Sequence, residues 1–421
     1  MAGQGRGRRA GRGRRAGRGR VAGCVLAVPL LAVPLLGTGC SAPGAGPDAA
    51  TGAVQRMLDR RATAVLEHDA DAYLAAVDPS ASGLRAAQRT ELGNLAQVPL
   101  TSWTYRVTGL DRHGASATAK VDLHYRIQGY DTAPVSTSRV LTLYRRGENW
   151  YVTGDRPAEG AGQMLWQQGP VTVVRGARTL ILGVGQEPAE LHEIAAAEDA
   201  AVPAVSAAWP GRWAGRVVVL VPASLDAMAA LLGAPAASYR GIAAVTTGEA
   251  GGAGAAPADR VIVNPAAYAI LGDMGREVVL THETTHVATR AHTSAATPMW
   301  LSEGYADWVG YRRTGRTAPQ AAPELQKAVR AGDLPAGLPT DADFGFDGGA
   351  DRLARAYEGG WLACRMIAAR WGEAKLARLY EEVGDQPGRE GALEKAMTDQ
   401  LGLTPPEFTT QWRAYVRTQL T

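Results

Sequence analysis

The chain has 421 residues, a formal net charge of +3 and 46% hydrophobic residues, which is ample for the cores of two folded domains. Eight arginines lie within the first 20 residues and no acidic residue precedes Asp48, so without residues 1–39 the formal charge becomes −5. The basic total therefore does not indicate a partner such as nucleic acid, and an apolar segment directly after the arginines argues against a nucleic-acid-binding tail.

Residues 1–39 have the pattern of a secretory signal. The arginines are followed by a 16-residue apolar stretch, Val21 to Leu36, in which Pro29 and Pro34 argue against a membrane-spanning helix. The ending LGTGC resembles bacterial lipoproteins, and this resemblance implies that Cys40 is lipidated and anchors the protein to the outer face of the cell membrane. The alternatives are ordinary signal cleavage with a secreted product, or an uncleaved anchor.

The segment after the signal is predicted to be a lipidated, solvated tether over residues 40–52, because Ala, Gly, Pro and Ser dominate it. If Cys24 leaves with the signal and Cys40 carries lipid, Cys364 is the remaining cysteine. This cysteine count excludes an intramolecular disulfide framework. Cys364 lies in the apolar helical pattern GGWLACRMIAARW, which predicts a buried side chain.

Residues 53–157 are predicted to form a first α+β domain. Apolar residues recur at helical spacing from Ala53 to Val77, and a second short helix is predicted near Leu84 to Leu95. The segments TSWTYRVTGL, ATAKVDLHYRI, SRVLTLYRR and NWYVTGD then alternate as strands at hairpin spacing. Helices followed by a curved antiparallel sheet resemble the cystatin-like cone of the nuclear-transport-factor-like superfamily. With no convergent acidic or histidine set in the sequence, we expect a spacer or recognition domain.

Residues 163–421 are predicted to form a second domain, in which a mixed sheet precedes a helical part. The segments VTVV, RTLILGV, RVVVLVP and RVIVNP are predicted strands, with helices at Ala189 to Ala208 and Leu225 to Leu232. From Asp273 onward the pattern is predominantly helical. This order is typical of an α+β hydrolase rather than a doubly wound sheet.

The motif HETTH, residues 282–286, carries the chemistry. Asp273 is the predicted N-cap of its helix. Residues four apart lie one turn apart on the same helix face, so His282 and His286 can bind one zinc ion. Glu283, displaced by about 100°, can then accept the proton of the attacking water as the general base.

The third ligand is a choice between His292 and a later carboxylate. With His292 the spacing resembles the metzincin pattern HExxHxxGxxH, in which a glycine breaks the helix, but here Thr289 occupies the glycine position. A β-branched residue resists such a break, and in an unbroken helix His292 lies about 280° around the axis from His282, facing away from the metal. In TPMWLSEGYADW, by contrast, Thr297 and Pro298 predict the start of a new helix with Glu303 and Asp307 on one face. One carboxylate can bind the metal while the other accepts the outer N–H of a liganding histidine.

HETTH followed by PMWLSEGYADW resembles the gluzincins, thermolysin-related zinc metallopeptidases, and particularly the peptidase MA-like group with its WLxEGxA signature. The resemblance implies a thermolysin-like domain with one zinc ion held by His282, His286 and Glu303. It also implies Glu283 as the base and Asp307 as the acid that orients a zinc-binding histidine.

Two further assignments follow from this resemblance. The segment AYEGGWLACRMIAARWG resembles a family helix that begins with a tyrosine, so Tyr357 could donate its hydroxyl to the oxyanion; the alternative is an aromatic packed in the core. Arg260 to Asn264 lies where related peptidases keep an edge strand that pairs with extended substrate.

The predicted function is therefore that of an exported zinc metallopeptidase acting on peptide or protein substrates. A metal-binding lipoprotein without catalysis, and a zinc amidase or deacylase acting on cell-envelope material, stay open as alternatives. Substrate-binding residues cannot be predicted, because residues 313–350 are rich in Gly, Pro and Ala and offer only one helix, near Pro323 to Arg330. The sequence does not indicate the oligomeric state.

Overall fold

The computed structural model describes residues 49–247, 259–345 and 349–421. Over these residues the fold is α+β, as predicted, with two separate sheets. The predicted signal peptide, residues 1–39, and the predicted lipidation site, Cys40, lie outside the described residues. Among the helices that are described, none combines the length and the apolar character needed to cross a membrane.

The first sheet is an antiparallel meander that follows three helices. These elements are α1 (Ala49–Glu67), α2 (Ala70–Ala75), α3 (Ser82–Leu95), β1 (Leu100–His113), β2 (Ser116–Ile127), β3 (Val135–Arg146) and β4 (Asn149–Pro157), with strand order β1-β2-β3-β4. Alternate residues of β2 from Ala117 to Ile127 are buried, and they share a core with Val54, Leu58 and Val65 of α1. The period-two alternation in the sequence therefore marks the buried face of this sheet.

Two boundaries of this first part differ from the sequence prediction. Helix α1 begins at Ala49, so the last residues of the predicted tether, 49–52, are helical. The helix predicted to run without interruption from Ala53 to Val77 is broken at His68, where φ is 56°. Asp69 then starts a new helix, because its side chain accepts hydrogen bonds from the backbone N–H groups of Asp71 and Ala72.

The second sheet is mixed and consists of short strands. They are β5 (Thr172–Arg175), β6 (Thr179–Gly183), β7 (Val217–Val221), β8 (Ala244–Thr246) and β9 (Val261–Val263), in the order β5-β6-β7-β9-β8. The strands β6, β7 and β9 are parallel, whereas β5 and β8 are antiparallel to their neighbours. The prediction that Arg260 to Asn264 provides an edge strand is wrong, because β9 is paired on both sides. Among the described residues β8 is the edge on that side.

Both faces of the second sheet are covered. Helix α4 (Pro188–Ala208) and helix α7 (Asp273–Thr289) cover one face, where Ile181, Val219 and Val263 pack with Leu280. On the other face Leu182 belongs to the core of the first sheet. Ile262 packs there with α5 (Leu225–Leu232). Sheet residues buried on both sides explain the nearly continuous apolar runs in these strands.

The rest of the described chain is mainly helical, and most of its helices share one aromatic-rich core. Its elements are α6 (Pro265–Ala269), α7, α8 (Met299–Tyr311), α9 (Ala318–Ala321), α10 (Pro323–Arg330), α11 (Ala350–Trp371), α12 (Glu373–Gly384), α13 (Ala392–Leu401) and α14 (Pro405–Leu420). Helix α10 spans the predicted range. Cys364 is fully buried in this core, as predicted, and burial raises the pKa of its thiol well above the ordinary value.

Candidate metal centre

Helices α7 and α8, which carry the predicted site residues, each have their N-cap one residue away from the predicted position. The N-cap of α7 is Gly272, and Asp273 is the first helical residue, where its negative charge complements the helix dipole. The N-cap of α8 is Pro298 rather than Thr297. Thr297 instead accepts a hydrogen bond from the backbone N–H of Ser294. These shifts do not change which residues of each helix share a face.

Helix α8 is held against α11 by a glycine contact. A Cβ on Gly304 would clash with the backbone carbonyl of Gly360, and a Cβ on Gly360 would lie 2.7 Å from the carbonyl oxygen of Trp300. Only glycine at both positions allows the two backbones to come this close.

Three side chains from α7 and α8 converge on one point. The Nε2 atoms of His282 and His286 are 2.9 Å apart, and the Oε2 atom of Glu303 lies 3.2 Å from the first and 3.5 Å from the second. Tetrahedral coordination with bonds of about 2.0–2.1 Å places neighbouring ligand atoms roughly 3.3 Å apart, which these distances bracket. The three side chains could therefore hold a metal ion.

The charge at this point also suits a cation. His286 and Glu303 are 3% exposed, and His282 is 12% exposed. The Oε2 atom of Glu303 receives no well-directed hydrogen bond despite its two imidazole neighbours. Burial alone would raise the pKa of the Glu303 carboxyl, but the two imidazoles outweigh burial and hold that pKa well below its usual range. A buried carboxylate oxygen without a hydrogen-bond donor is a suitable metal ligand.

Asp307 orients one of the imidazoles. Its Oδ1 atom lies 2.8 Å from Nδ1 of His282, so the ring donates its outer N–H to the carboxylate. This hydrogen bond leaves the Nε2 lone pair directed at Glu303 and His286. Burial lowers the pKa of His282, but the carboxylates of Asp307 and Glu303 outweigh it and raise that pKa well above 6.5. In this site a cation at Nε2 would replace the proton that the carboxylates favour.

Glu283 points from α7 toward the edge strand β8. The hydroxyl of Thr246 lies 2.7 Å from Oε2 of Glu283 and 3.0 Å from its backbone carbonyl oxygen. Thr246 is fully buried and Glu283 is 6% exposed. The carboxylate of the predicted base is therefore fixed by a residue of the sheet, which the sequence analysis did not identify.

A second buried carboxyl group, that of Glu198, contacts helix α7 from helix α4. Glu198 of α4 is fully buried and accepts a short hydrogen bond from the hydroxyl of Thr284, the residue after Glu283. The pKa of Glu198 is raised to about 8, mainly by burial and also by the nearby carboxylates of Glu283 and Asp199, while the hydrogen bond from Thr284 opposes the shift. A glutamate among the small apolar residues of α4 is the one signal that could have marked this position in the sequence.

The remaining candidates differ in their distance from the centre. The ring centroid of Tyr357 lies 6.3 Å from that of His282, and Phe344 packs edge-on against the tyrosine at 5.2 Å. His292 lies elsewhere, with its Nδ1 atom 2.8 Å from Oδ1 of Asp385. The chain at Thr289 keeps right-handed helical geometry, so no break returns His292 to the centre.

Comparisons with known proteins do not assign this site: no family model matches the chain, and no curated protein gives a significant match.

Proposed function

We propose that the protein is a zinc-dependent metallopeptidase with its centre at His282, His286 and Glu303. The observation that carries the proposal is the convergence of these three ligand atoms, together with the buried Glu283 on the helix that carries both histidines. Two imidazoles and one carboxylate are a donor set typical of catalytic zinc, which keeps a coordination position for water or substrate. The same residues carry the resemblance to gluzincins.

Each polar group around the proposed zinc ion has its own role in hydrolysis. A bound zinc ion would supply Lewis-acid catalysis and lower the pKa of a water molecule toward neutrality. Glu283 takes the proton from the attacking water and later gives it to the leaving amine, while Thr246 holds Oε2 of the carboxylate. Asp307 holds the outer proton of His282. The hydroxyl of Tyr357 is a candidate donor to the oxyanion, consistent with its distance from His282.

A peptide substrate is favoured by the position of β8. This short strand is an edge of the second sheet among the described residues, and its last residue touches the proposed base. An edge strand offers backbone N–H and C=O groups that an extended peptide can pair with. We therefore propose β8, rather than β9, as the strand that binds substrate.

The location of the proposed activity rests on the N-terminal sequence. The apolar segment Val21 to Leu36 and the following Cys40 support export and lipid anchoring at the outer face of the membrane. The first sheet and its helices would then hold the catalytic part away from the bilayer.

The decisive experiment compares wild-type protein with Glu283→Gln in zinc content and in hydrolysis of a quenched peptide library. We expect one zinc per chain in both proteins, and a loss of turnover of roughly 10²–10⁴-fold in the variant. Zinc without peptide turnover in the wild type would reject the peptidase. Products from envelope fragments alone would instead identify an amidase or deacylase.

A further inference from the structure

A concave site lies beside the C-terminal end of α7. It is a cavity of about 570 Å³ whose lining includes six charged side chains. They are Asp131, Arg212, Arg216, Asp259, Arg260 and Arg290. Four arginines against two aspartates give this lining a formal charge of +2, and we call it the basic cavity.

Buried ion pairs build the inner part of the basic cavity. Arg260 binds both carboxylate oxygens of Asp131 at 2.7 Å, and their side chains are only 5% and 1% exposed. Arg290 donates to Oδ2 of Asp259 at 2.8 Å and to the backbone carbonyl of Thr247 at 3.0 Å. Because these two arginines are neutralised by their partners, they contribute rigidity more than free positive charge.

The excess positive charge belongs to the outer part. Arg212 and Arg216 are exposed, and neither forms an ion pair within the described parts of the chain. The guanidinium of Arg216 lies over the ring of Tyr130, 5.8 Å from its centroid. The inner part also holds an unsatisfied acceptor, since the buried Oδ1 atom of Asp259 has no hydrogen-bond partner among the described residues. The cavity thus offers two cationic donors and one buried acceptor.

The basic cavity is aligned with the proposed active site along one helix. Glu283 and Val287 lie one turn apart on the same face of α7, and Arg290, the C-cap of α7, follows at i+7 with helical backbone angles; Val287 and Arg290 line the cavity. Seven residues correspond to roughly 10 Å along a helix axis. Thr247, which Arg290 contacts, directly follows the residue that holds Glu283. A bound chain of a few residues could therefore extend from one site to the other.

We propose that the basic cavity binds an acidic segment of the polypeptide substrate, away from the bond that is cleaved. Substrate carboxylates would pair with Arg212 and Arg216, and a backbone N–H would donate to Oδ1 of Asp259. A peptide offers both kinds of group, whereas a flat anionic membrane surface cannot enter a concave site of this size. This inference rests on the proposed function for its role, but its binding step can be measured separately.

The test measures binding in the full-length Glu283→Gln chain, so that no peptide is consumed. The probes are a fluorescent glutamate-rich peptide and the same peptide with glutamine at every glutamate position. We expect Arg212→Gln with Arg216→Gln to weaken binding of the glutamate peptide by roughly tenfold or more and to leave the glutamine peptide unchanged. The matched control replaces Arg145 and Arg417, two exposed arginines outside the basic cavity, by glutamine and removes the same charge.

Each outcome decides the inference. An equal loss in the Arg145 and Arg417 control would show a general charge effect and overturn the site, as would no loss in either double variant. If anionic phospholipid vesicles bind through Arg212 and Arg216 and the peptide does not bind, the ligand of the basic cavity is a membrane surface and the peptide proposal is wrong. In the active chain, the cavity variant should raise KM for glutamate peptides and leave kcat unchanged. If the chain cleaves no peptide yet binds the acidic probe through these arginines, the proposed activity fails and the binding site stands.

Discussion

The buried hydroxyl of Thr246, on the edge strand β8, donates a hydrogen bond to the carboxylate of Glu283 on helix α7 at 2.7 Å. This contact joins the strand proposed to bind substrate to the group proposed to move the proton. A substitution in β8 should therefore affect proton transfer by Glu283 without altering the proposed metal ligands.

Replacing Thr246 by valine should lower kcat by about tenfold to a hundredfold, because valine keeps the shape of the side chain but removes the donor. Zinc content and KM should stay near their wild-type values. Thr246→Ser keeps the hydroxyl and should restore most of kcat. Steady-state kinetics together with metal analysis measure all three quantities. A valine variant with full turnover would show that Glu283 needs no support from β8.

Replacing Asp307 by asparagine should weaken zinc binding by roughly tenfold to a hundredfold, because the hydrogen bond from His282 remains while the negative charge is lost. Competition with a metal chelator gives the affinity. Asp385 is a matched control, since it contacts His292 with the same 2.8 Å geometry. Asp385→Asn should leave zinc affinity unchanged, and a loss there would point to His292 as a ligand after all.

Replacing Glu198 by glutamine should change how stability depends on pH. With a pKa of about 8 in the folded chain against 4.5 as the ordinary value, the folded state holds a proton that the unfolded state has released. Stability from this group is therefore full below about pH 4.5 and falls as pH rises toward 8, by roughly 3–5 kcal/mol in all. Glutamine removes this decline.

Urea unfolding of both proteins at several pH values measures the difference. The difference in unfolding free energy between the two proteins should shift in favour of Glu198→Gln as pH rises from 5 to 8. Glu190 lies exposed on the same helix, so Glu190→Gln should keep the wild-type slope. Parallel curves for Glu198→Gln and wild type would mean that Glu198 does not take up a proton on folding.

Replacing Gly304 by alanine should destabilise the protein and weaken zinc binding at the proposed site, because the new methyl group meets the backbone of Gly360 and forces α8 away from α11. We expect a loss of roughly 1–3 kcal/mol. Thermal unfolding with and without zinc measures both effects. Gly275 of α7 is the control, since a Cβ there lies at an ordinary 3.4 Å from Leu271 and alanine should be neutral or mildly stabilising. Equal stability of the two variants would contradict the close contact.

Much of the fold could be predicted because its signals are local. The helices Leu225–Leu232 and Pro323–Arg330 end where the apolar period and the flanking Gly and Pro residues indicate. The same holds for the site: four residues on α7 or on α8 make one turn, so the pairing of His282 with His286, and of Glu303 with Asp307, depends on helix geometry alone. The local differences from the prediction are small: two helix caps displaced by one residue and a break at His68.

Contacts between distant residues could not be predicted. Thr246 and Glu283 are 37 residues apart, and Glu198 and Thr284 are 86 apart. The order of strands, which makes β8 rather than β9 the edge, and the gathering of arginines in the basic cavity are likewise results of packing. A sequence pattern reports which face of an element is apolar, but not which other element covers that face. The sequence by itself therefore determined the proposed ligands and base, through helical periodicity, whereas only the tertiary structure decided what orients them and where a substrate could extend.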